Sequence, residues 1–185
     1  MKKISIIVPT YNEEESLPFF LERLKELTNK IENYEFEFLF VNDGSKDKSL
    51  EIIKEQRKKD NRISYIDFSR NFGKEIAMIA GMDYATGDAV IFMDADLQDP
   101  PELIIDFIKY WEQGYDDVYA KRKSRKGETF FKKFTSKMYY KVLQKLAGME
   151  IQKDTGDFRL LDRRCVNALK KLRESQRCTK SPVSF

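Results

Sequence analysis

Three carboxylates and one amide fall within the six residues Asp94-Ala95-Asp96-Leu97-Gln98-Asp99, directly after the apolar run Ala89-Val90-Ile91-Phe92-Met93. Such a run reads as a buried strand. Carboxylates crowded at its end repel one another unless a cation sits among their oxygens. On an extended chain Asp94 and Asp96 project to the same side, and Gln98 continues the spacing with a carbonyl oxygen. An all-oxygen set suits Mg2+ or Mn2+, with the other coordination positions left to water and phosphate. An acidic loop, or helix caps for the segment from Pro100, would leave the same residue pattern.

The elements that position this stretch follow from periodicity. Apolar runs predict strands over Ile4–Val8, Phe36–Val41, Ile63–Phe68, Ala89–Met93 and Asp117–Ala120. Helical spacing joins Leu17, Phe20, Leu21, Leu24, Leu27 and Ile31. It also joins Leu50, Ile53 and the stem of Arg57, with Ser45 or Asp47 as cap. A third helix carries Ile76, Ile79, Ala80 and Tyr84 in register. A fourth, opened by Pro100-Pro101, turns Leu103, Ile104, Phe107, Ile108 and Trp111 inward. Alternating strands and helices predict an α/β fold, a mainly parallel sheet covered on both faces. Ligands of such sheets lie beyond the strand carboxyl ends, so Pro9–Glu13, Asn42–Ser45, Arg70–Lys74 and Asp94–Asp99 should converge. None of these loops carries the dinucleotide fingerprint or the Walker pattern.

Composition narrows the chemistry. The 185 residues are 41% hydrophobic and 35% charged, with no histidine. Triads built on histidine and His-ligated zinc are therefore excluded, and acid–base work falls to Asp, Glu, Lys or Tyr. Cys165 and Cys178 lack metal-ligand spacing and suit a reducing compartment. The N-terminus lacks a signal peptide's apolar region, and no apolar stretch spans a bilayer. The net charge is +3, yet Lys121–Lys145 holds ten basic residues and one acid, leaving 24 basic and 30 acidic residues elsewhere, a net of −6. A basic segment on an acidic body implies a localised anionic partner. From Phe130 to Leu146 aromatics and lysines occupy neighbouring helical faces, which suits an anionic membrane surface. No nucleic-acid-binding signature accompanies them.

Five motifs occur in order: Pro9-Thr10-Tyr11-Asn12-Glu13-Glu14, Asn42-Asp43-Gly44-Ser45, Arg70-Asn71-Phe72-Gly73-Lys74, Asp94-Ala95-Asp96-Leu97-Gln98-Asp99-Pro100 and Thr155-Gly156-Asp157-Phe158-Arg159. Together they resemble the family-2 glycosyltransferases of the GT-A fold. The match is to the polyprenyl-phosphate branch, bactoprenol glucosyltransferases with dolichyl-phosphate mannose synthases as relatives, and covers residues 1–177. The resemblance implies a UDP-sugar donor, transfer of a hexose to undecaprenyl phosphate with inversion, and a Mg2+ or Mn2+ ion. GDP-mannose as donor, an aminosugar, or a saccharide hydroxyl as acceptor are the alternatives within the fold, and a non-catalytic nucleotide-sugar-binding module is the alternative outside catalysis.

The resemblance also implies roles. Pro9, Tyr11 and Glu13 border the nucleotide, Asp43 hydrogen-bonds the base, and Lys74 approaches the nucleotide. Asp94 and Ala95 line the donor, while Asp94, Asp96 and Gln98 hold the metal. Asp157 is base or orienting group, with Arg159 as its ion-pair partner. Arg122, Lys132 and Ser136 contact the acceptor phosphate, and Arg177 and Lys180 the diphosphate. After Arg177 the tail 178–185 departs from the pattern. Bactoprenol enzymes continue there and end in two transmembrane helices, so the expectation is a catalytic chain lacking that membrane region. Such a chain, at the cytoplasmic face, would hold its membrane peripherally and could be truncated and impaired.

Overall fold

Ile6 and Ile7 are adjacent on one strand and both fully buried, because that strand is covered on both faces. The computed structural model describes residues 1–121 and 155–171. They form β1 (Lys2–Thr10), α1 (Leu17–Thr28), β2 (Tyr34–Asn42), α2 (Ser49–Lys59), β3 (Ile63–Asp67), α3 (Lys74–Tyr84), β4 (Ala89–Phe92), α4 (Leu103–Glu112), β5 (Asp117–Lys121), β6 (Thr155–Asp162) and α5 (Arg163–Lys171).

The six strands lie in the order β3-β2-β1-β4-β6-β5. β1 pairs in parallel with β2 and β4, and β2 with β3, which sends Thr10, Asn42, Asp67 and Phe92 toward one edge. Beyond β4 the sheet changes character, since β6 runs antiparallel to both β4 and β5. Its starting residues therefore lie beside the carboxyl end of β4, with Arg159 opposite Phe92. The sequence pattern anticipates the parallel part; it does not anticipate β6 inserted between β4 and β5, because strand pairing is not written in sequence order.

Alternate β1 residues feed two cores. Ile4, Ile6 and Val8 pack with Phe20, Leu24, Phe38, Phe107 and Trp111 under α1, α2 and α4. Ile7 packs with Ala77, Met78, Met82, Val90 and Phe92 under α3, and with Val166 of α5. Each fully buried large side chain contributes roughly 1.5–3 kcal/mol relative to exposure. Phe107 of α4 meets Phe158 of β6 with ring centroids 4.7 Å apart. Asp162 accepts from Trp111 Nε1 at 2.8 Å and from the backbone N–H of Arg164 at 2.8 Å, tying α4 to the start of α5.

The inward face of α3 differs from the periodicity reading. Ala77, Met78, Gly81 and Met82 face the sheet, while Ile76 and Tyr84 are exposed. A Cβ on Gly81 would collide with Ile7 Cγ2, so the small residues let this helix approach β1 closely. Of the four residues expected inward, Ile79 and Ala80 pack part-buried against this core, and Ile76 and Tyr84 turn outward. In α2, Ser49 and Ile53 are the buried residues, and Arg57 lies outside with its guanidinium donating to the carbonyl of Ile63 at 2.7 Å.

Candidate active site

Four loops leave the carboxyl ends of β1–β4, and hydrogen bonds weld them together. In the first, Asn12 adopts φ 53°, a left-handed conformation that asparagine tolerates. Its backbone N–H donates to Ser45 Oγ at 3.0 Å, and its Oδ1 accepts from the N–H of Lys46 at 2.8 Å. The N–H of Glu13 donates to Ser49 Oγ at 2.8 Å, and that of Glu14 to Asp47 Oδ2 at 3.0 Å. Asp47 Oδ1 also accepts from the N–H of Ser49, but Lys48 holds the N-cap position of α2, so neither Asp47 nor Ser45 is its cap; Ser45 holds the neighbouring loop instead.

Asp43 is buried and binds the third loop: its oxygens accept from the N–H groups of Phe72 (2.7 Å) and Gly73 (2.9 Å). Gly44 makes that junction possible. At φ +67°, a Cβ there would lie 2.7 Å from Arg70 Cα. Only glycine combines this conformation with so close a backbone approach.

A cleft of about 600 Å³ opens between the first three loops, lined by Tyr11, Asn42, Gly44, Asp67 and Arg70 among others. Asn42 and Asp67 end neighbouring strands in register, and Asn42 Nδ2 donates to Asp67 Oδ1 at 2.8 Å. Asn42 Oδ1 is buried and has no partner. A buried acceptor without a donor is costly. Arg70 lies over the Phe72 ring, 4.2 Å from its centroid, on the same rim. Tyr11 lines this cleft; Pro9 is half-buried on β1 opposite Val41, and Glu13 lines a shallower hollow beside Asp47. The motifs include Asn42 without giving it a role, and they leave out Asp67. Their signal was position alone, at the last residues of two parallel strands.

The fourth loop supplies the charged centre. Lys74, the first residue of α3, reaches Asp94 Oδ2 at 2.6 Å and Asp157 Oδ2 at 2.7 Å. The antiparallel course of β6 is what brings Asp157 there. Burial raises the Asp94 carboxyl above its ordinary value, with Asp96 and Asp157 adding to the rise against the pull of Lys74. Burial also acts against the charged Lys74 ammonium, but the two carboxylates outweigh it and raise its pKa.

Two expectations change here. Asp157 pairs with Lys74, whereas Arg159 is buried and pairs with Asp117 Oδ2 at 3.4 Å. The antiparallel register sets Tyr119 opposite Arg159, so Asp117 is its diagonal neighbour. The chain also does not stay extended through Asp94–Gln98. It turns after Asp94, Leu97 takes φ 58°, and Asp96 Oδ1 accepts from the N–H of Gln98 at 3.0 Å. Ala95 is buried, and Leu97 packs on the core beneath, which holds the turn in place.

Among the described residues no three Asp, Glu, Cys or His side chains form a metal cage. The carboxylates of Asp94 and Asp96 suit instead the chemistry of an ion held by one or two carboxylates and shared with ligand phosphates, the habit of Mg2+. Arg122, Lys132, Ser136, Arg177, Lys180, Cys178 and the basic amphipathic segment lie outside the described residues. Among those that are described, no helix is long and apolar enough to cross a membrane.

Residues 5–169 match the family model described as glycosyl transferase family 2. The chain belongs to that family. It is 53% identical over 182 residues to the uncharacterized glycosyltransferase YkcC of Bacillus subtilis, covering 98% of this chain and 56% of that protein. It is 42% identical over 183 residues to the bactoprenol glucosyl transferase of Shigella phage SfX, covering 99% of this chain and 60% of that one. The chain thus spans less than two thirds of these relatives' length.

Among solved structures, S. aureus TarS in complex with UDP is 29% identical, with TM-score 0.52 over 69% of this chain and 37% of that one. The mannosyltransferase PcManGT of Pyrobaculum calidifontis, in complex with GDP-Man and Mn2+, gives TM-score 0.64 at 20% identity over 91% and 46%, a likeness of fold. The architecture is that of the GT-A glycosyltransferases.

Proposed function

We propose that this chain carries the donor-binding centre of a glycosyltransferase that moves a hexose from a UDP-sugar to a polyprenyl phosphate. The observation that carries the reading is the juxtaposition, along one sheet edge, of an open cleft and a pair of carboxylates that share one lysine. In this reading the uracil enters the cleft whose rim carries Tyr11, Gly44 and Arg70, with Asn42 and Asp67 at its base. Asp43 fixes the loop that carries Arg70 and Lys74. Pro9, Glu13 and Ala95 shape the walls along the nucleotide and donor. Bactoprenol glucosyl transferase at 42% identity supports the lipid acceptor and the glucosyl group. TarS with UDP supports the nucleotide.

Asp94, Asp96 and the Gln98 carbonyl would hold Mg2+ or Mn2+. Such an ion neutralises the donor diphosphate and stabilises the charge that builds on the departing UDP. Asp157, across from Asp94, orients the acceptor or takes its proton. A lipid phosphate arrives already anionic and attacks without a base, whereas a saccharide hydroxyl must lose a proton. Attack from the Asp157 side on the face opposite the departing UDP makes the transfer a single inverting displacement. Arg122, Lys132 and Ser136 receive the acceptor phosphate, and Arg177 and Lys180 the diphosphate. The basic segment 121–145 holds the chain to an anionic membrane surface at the cytoplasmic side, where UDP-sugars are made.

The test is UDP release measured over a panel of UDP- and GDP-sugars, with and without polyprenyl phosphate and Mn2+. Release from a UDP-hexose that requires both lipid and metal supports the reading. Release from GDP-mannose alone, or with a saccharide replacing the lipid, would overturn the donor or the acceptor assignment.

A further inference from the structure

Lys74 sits at an unfavourable place for a lysine. It opens α3, where the helix dipole disfavours positive charge. Its ammonium is half-buried yet makes two contacts, 2.6 Å to Asp94 and 2.7 Å to Asp157, from one nitrogen. The loop it springs from is pinned by Asp43 through the N–H groups of Phe72 and Gly73, and Gly73 turns the chain at φ 99°. The backbone therefore aims the side chain, and tertiary carboxylates compensate what the helix end opposes. One positive charge serves two negative ones, with Asp96 on the adjoining turn adding a third.

We propose that Lys74 is the donor centre's resident counter-cation, a positioning residue that yields Asp94 to an incoming divalent cation and stays on Asp157. This rests on the reading of Asp94 and Asp96 as metal ligands. A divalent cation on Asp94 would lie close to the Lys74 ammonium, now 2.6 Å from Oδ2, and like charges that close repel strongly. The ammonium has a second carboxylate already in reach, so metal entry needs only a short shift of its tip. Before metal arrives, Lys74 keeps Asp94 and Asp157 from forcing β4 and β6 apart. Afterwards it holds the Asp157 carboxylate oriented beside the donor. Metal loading and the orientation of the acceptor-side carboxylate thereby become one exchange event.

Two readouts test this without turnover. In the native 185-residue chain, amine labelling followed by mass spectrometry reports how accessible each lysine is. Adding Mg2+ without nucleotide is expected to raise labelling of Lys74 severalfold and leave surface lysines such as Lys54 unchanged. Mn2+ binding, followed by electron paramagnetic resonance, is expected to be about tenfold tighter in Lys74→Met than in the native chain. Lys74→Arg, which keeps the charge, should return to native affinity. Unchanged or reduced Lys74 labelling while Mg2+ is bound would overturn the exchange, as would Mn2+ affinity in Lys74→Met no tighter than native. If no divalent cation binds the native chain even with UDP present, the metal reading itself falls, an outcome distinct from metal binding that leaves Lys74 unmoved. The labelling arm needs no variant, so a substitution that fails to fold does not remove the test.

Discussion

Two charged clusters occupy the same sheet, one toward the strand amino ends and one at the carboxyl ends, and they are built on opposite terms. Toward the amino ends a single carboxylate, Glu37 of β2, is surrounded by donors. Lys3 Nζ lies 2.7 Å from it, the Thr86 N–H and hydroxyl each donate at 2.7 Å, and Ser5 Oγ donates from the register-matched position on β1. Burial pushes its carboxyl up, but these hydrogen bonds outweigh burial and hold it at about 2. At the carboxyl ends two carboxylates share one lysine, and burial raises Asp94. The first cluster is saturated and joins strands. The second is short of positive charge and is left open to a ligand. Abundance of partners marks structure; a shortage, held in place by packing, marks a binding centre.

The sharpest way to break this contrast is to exchange the consequences of substitution. Asp94→Asn should lower UDP release by about a hundredfold to a thousandfold, the usual cost of deleting one group that stabilises transition-state charge. Its melting temperature should stay close to native, because one carboxylate fewer relieves repulsion. A drop in both together would make Asp94 a structural residue like Glu37.

Gly44→Ala tests the junction between the two loops at the base cleft. Strain at positive φ and contact with the Arg70 backbone should cost about 1–3 kcal/mol in denaturant unfolding, and UDP affinity should fall with it. Unchanged stability would mean that the loops part without cost.

Glu37→Gln should cost about 1–2 kcal/mol, allowing for solvent screening of its half-buried network, while UDP affinity stays native. The sign of the acid response follows from the depressed carboxyl. Its contribution is complete above the ordinary 4.5 and is lost as pH falls toward about 2. Acid unfolding curves of native and Glu37→Gln chains should therefore converge across that window and differ above it.

The smallest effect belongs to Arg23→Ala. Its guanidinium meets Glu102 at 2.9 Å, but both side chains are about half exposed. Loss of this pair should change stability by no more than about 1 kcal/mol, measured by thermal melts. A larger change would weaken the claim that saturation and burial, rather than ion pairing itself, stabilise the amino-end cluster.

What the sequence reveals and hides follows the same physics. The parallel strands are legible because burial on both faces demands continuous apolar runs, as in Phe38-Leu39-Phe40-Val41. The four convergent loops follow from strand direction. The inner face of α3 is hidden because Ala77 and Gly81 contribute closeness rather than bulk, while Ile76 stays exposed. The Lys74–Asp157 contact is hidden because it depends on β6 entering the sheet out of sequence order. Arg159 misleads for a related reason: nearness to Asp157 in the chain says nothing of Asp117 on the neighbouring strand. Asn42 reads as a turn residue until the register sets it, buried, at the end of β2 with its amide on Asp67 of β3.

The central claim is that the carboxyl edge of the sheet binds a nucleoside diphosphate together with a divalent cation. Calorimetric titration of UDP into the native chain and into Asp96→Asn, each with and without Mn2+, tests it most directly. The account predicts that Mn2+ tightens UDP binding about tenfold or more in the native chain and has no effect in Asp96→Asn. Equal UDP affinity with and without Mn2+ in the native chain, or a full metal effect in Asp96→Asn, would contradict it.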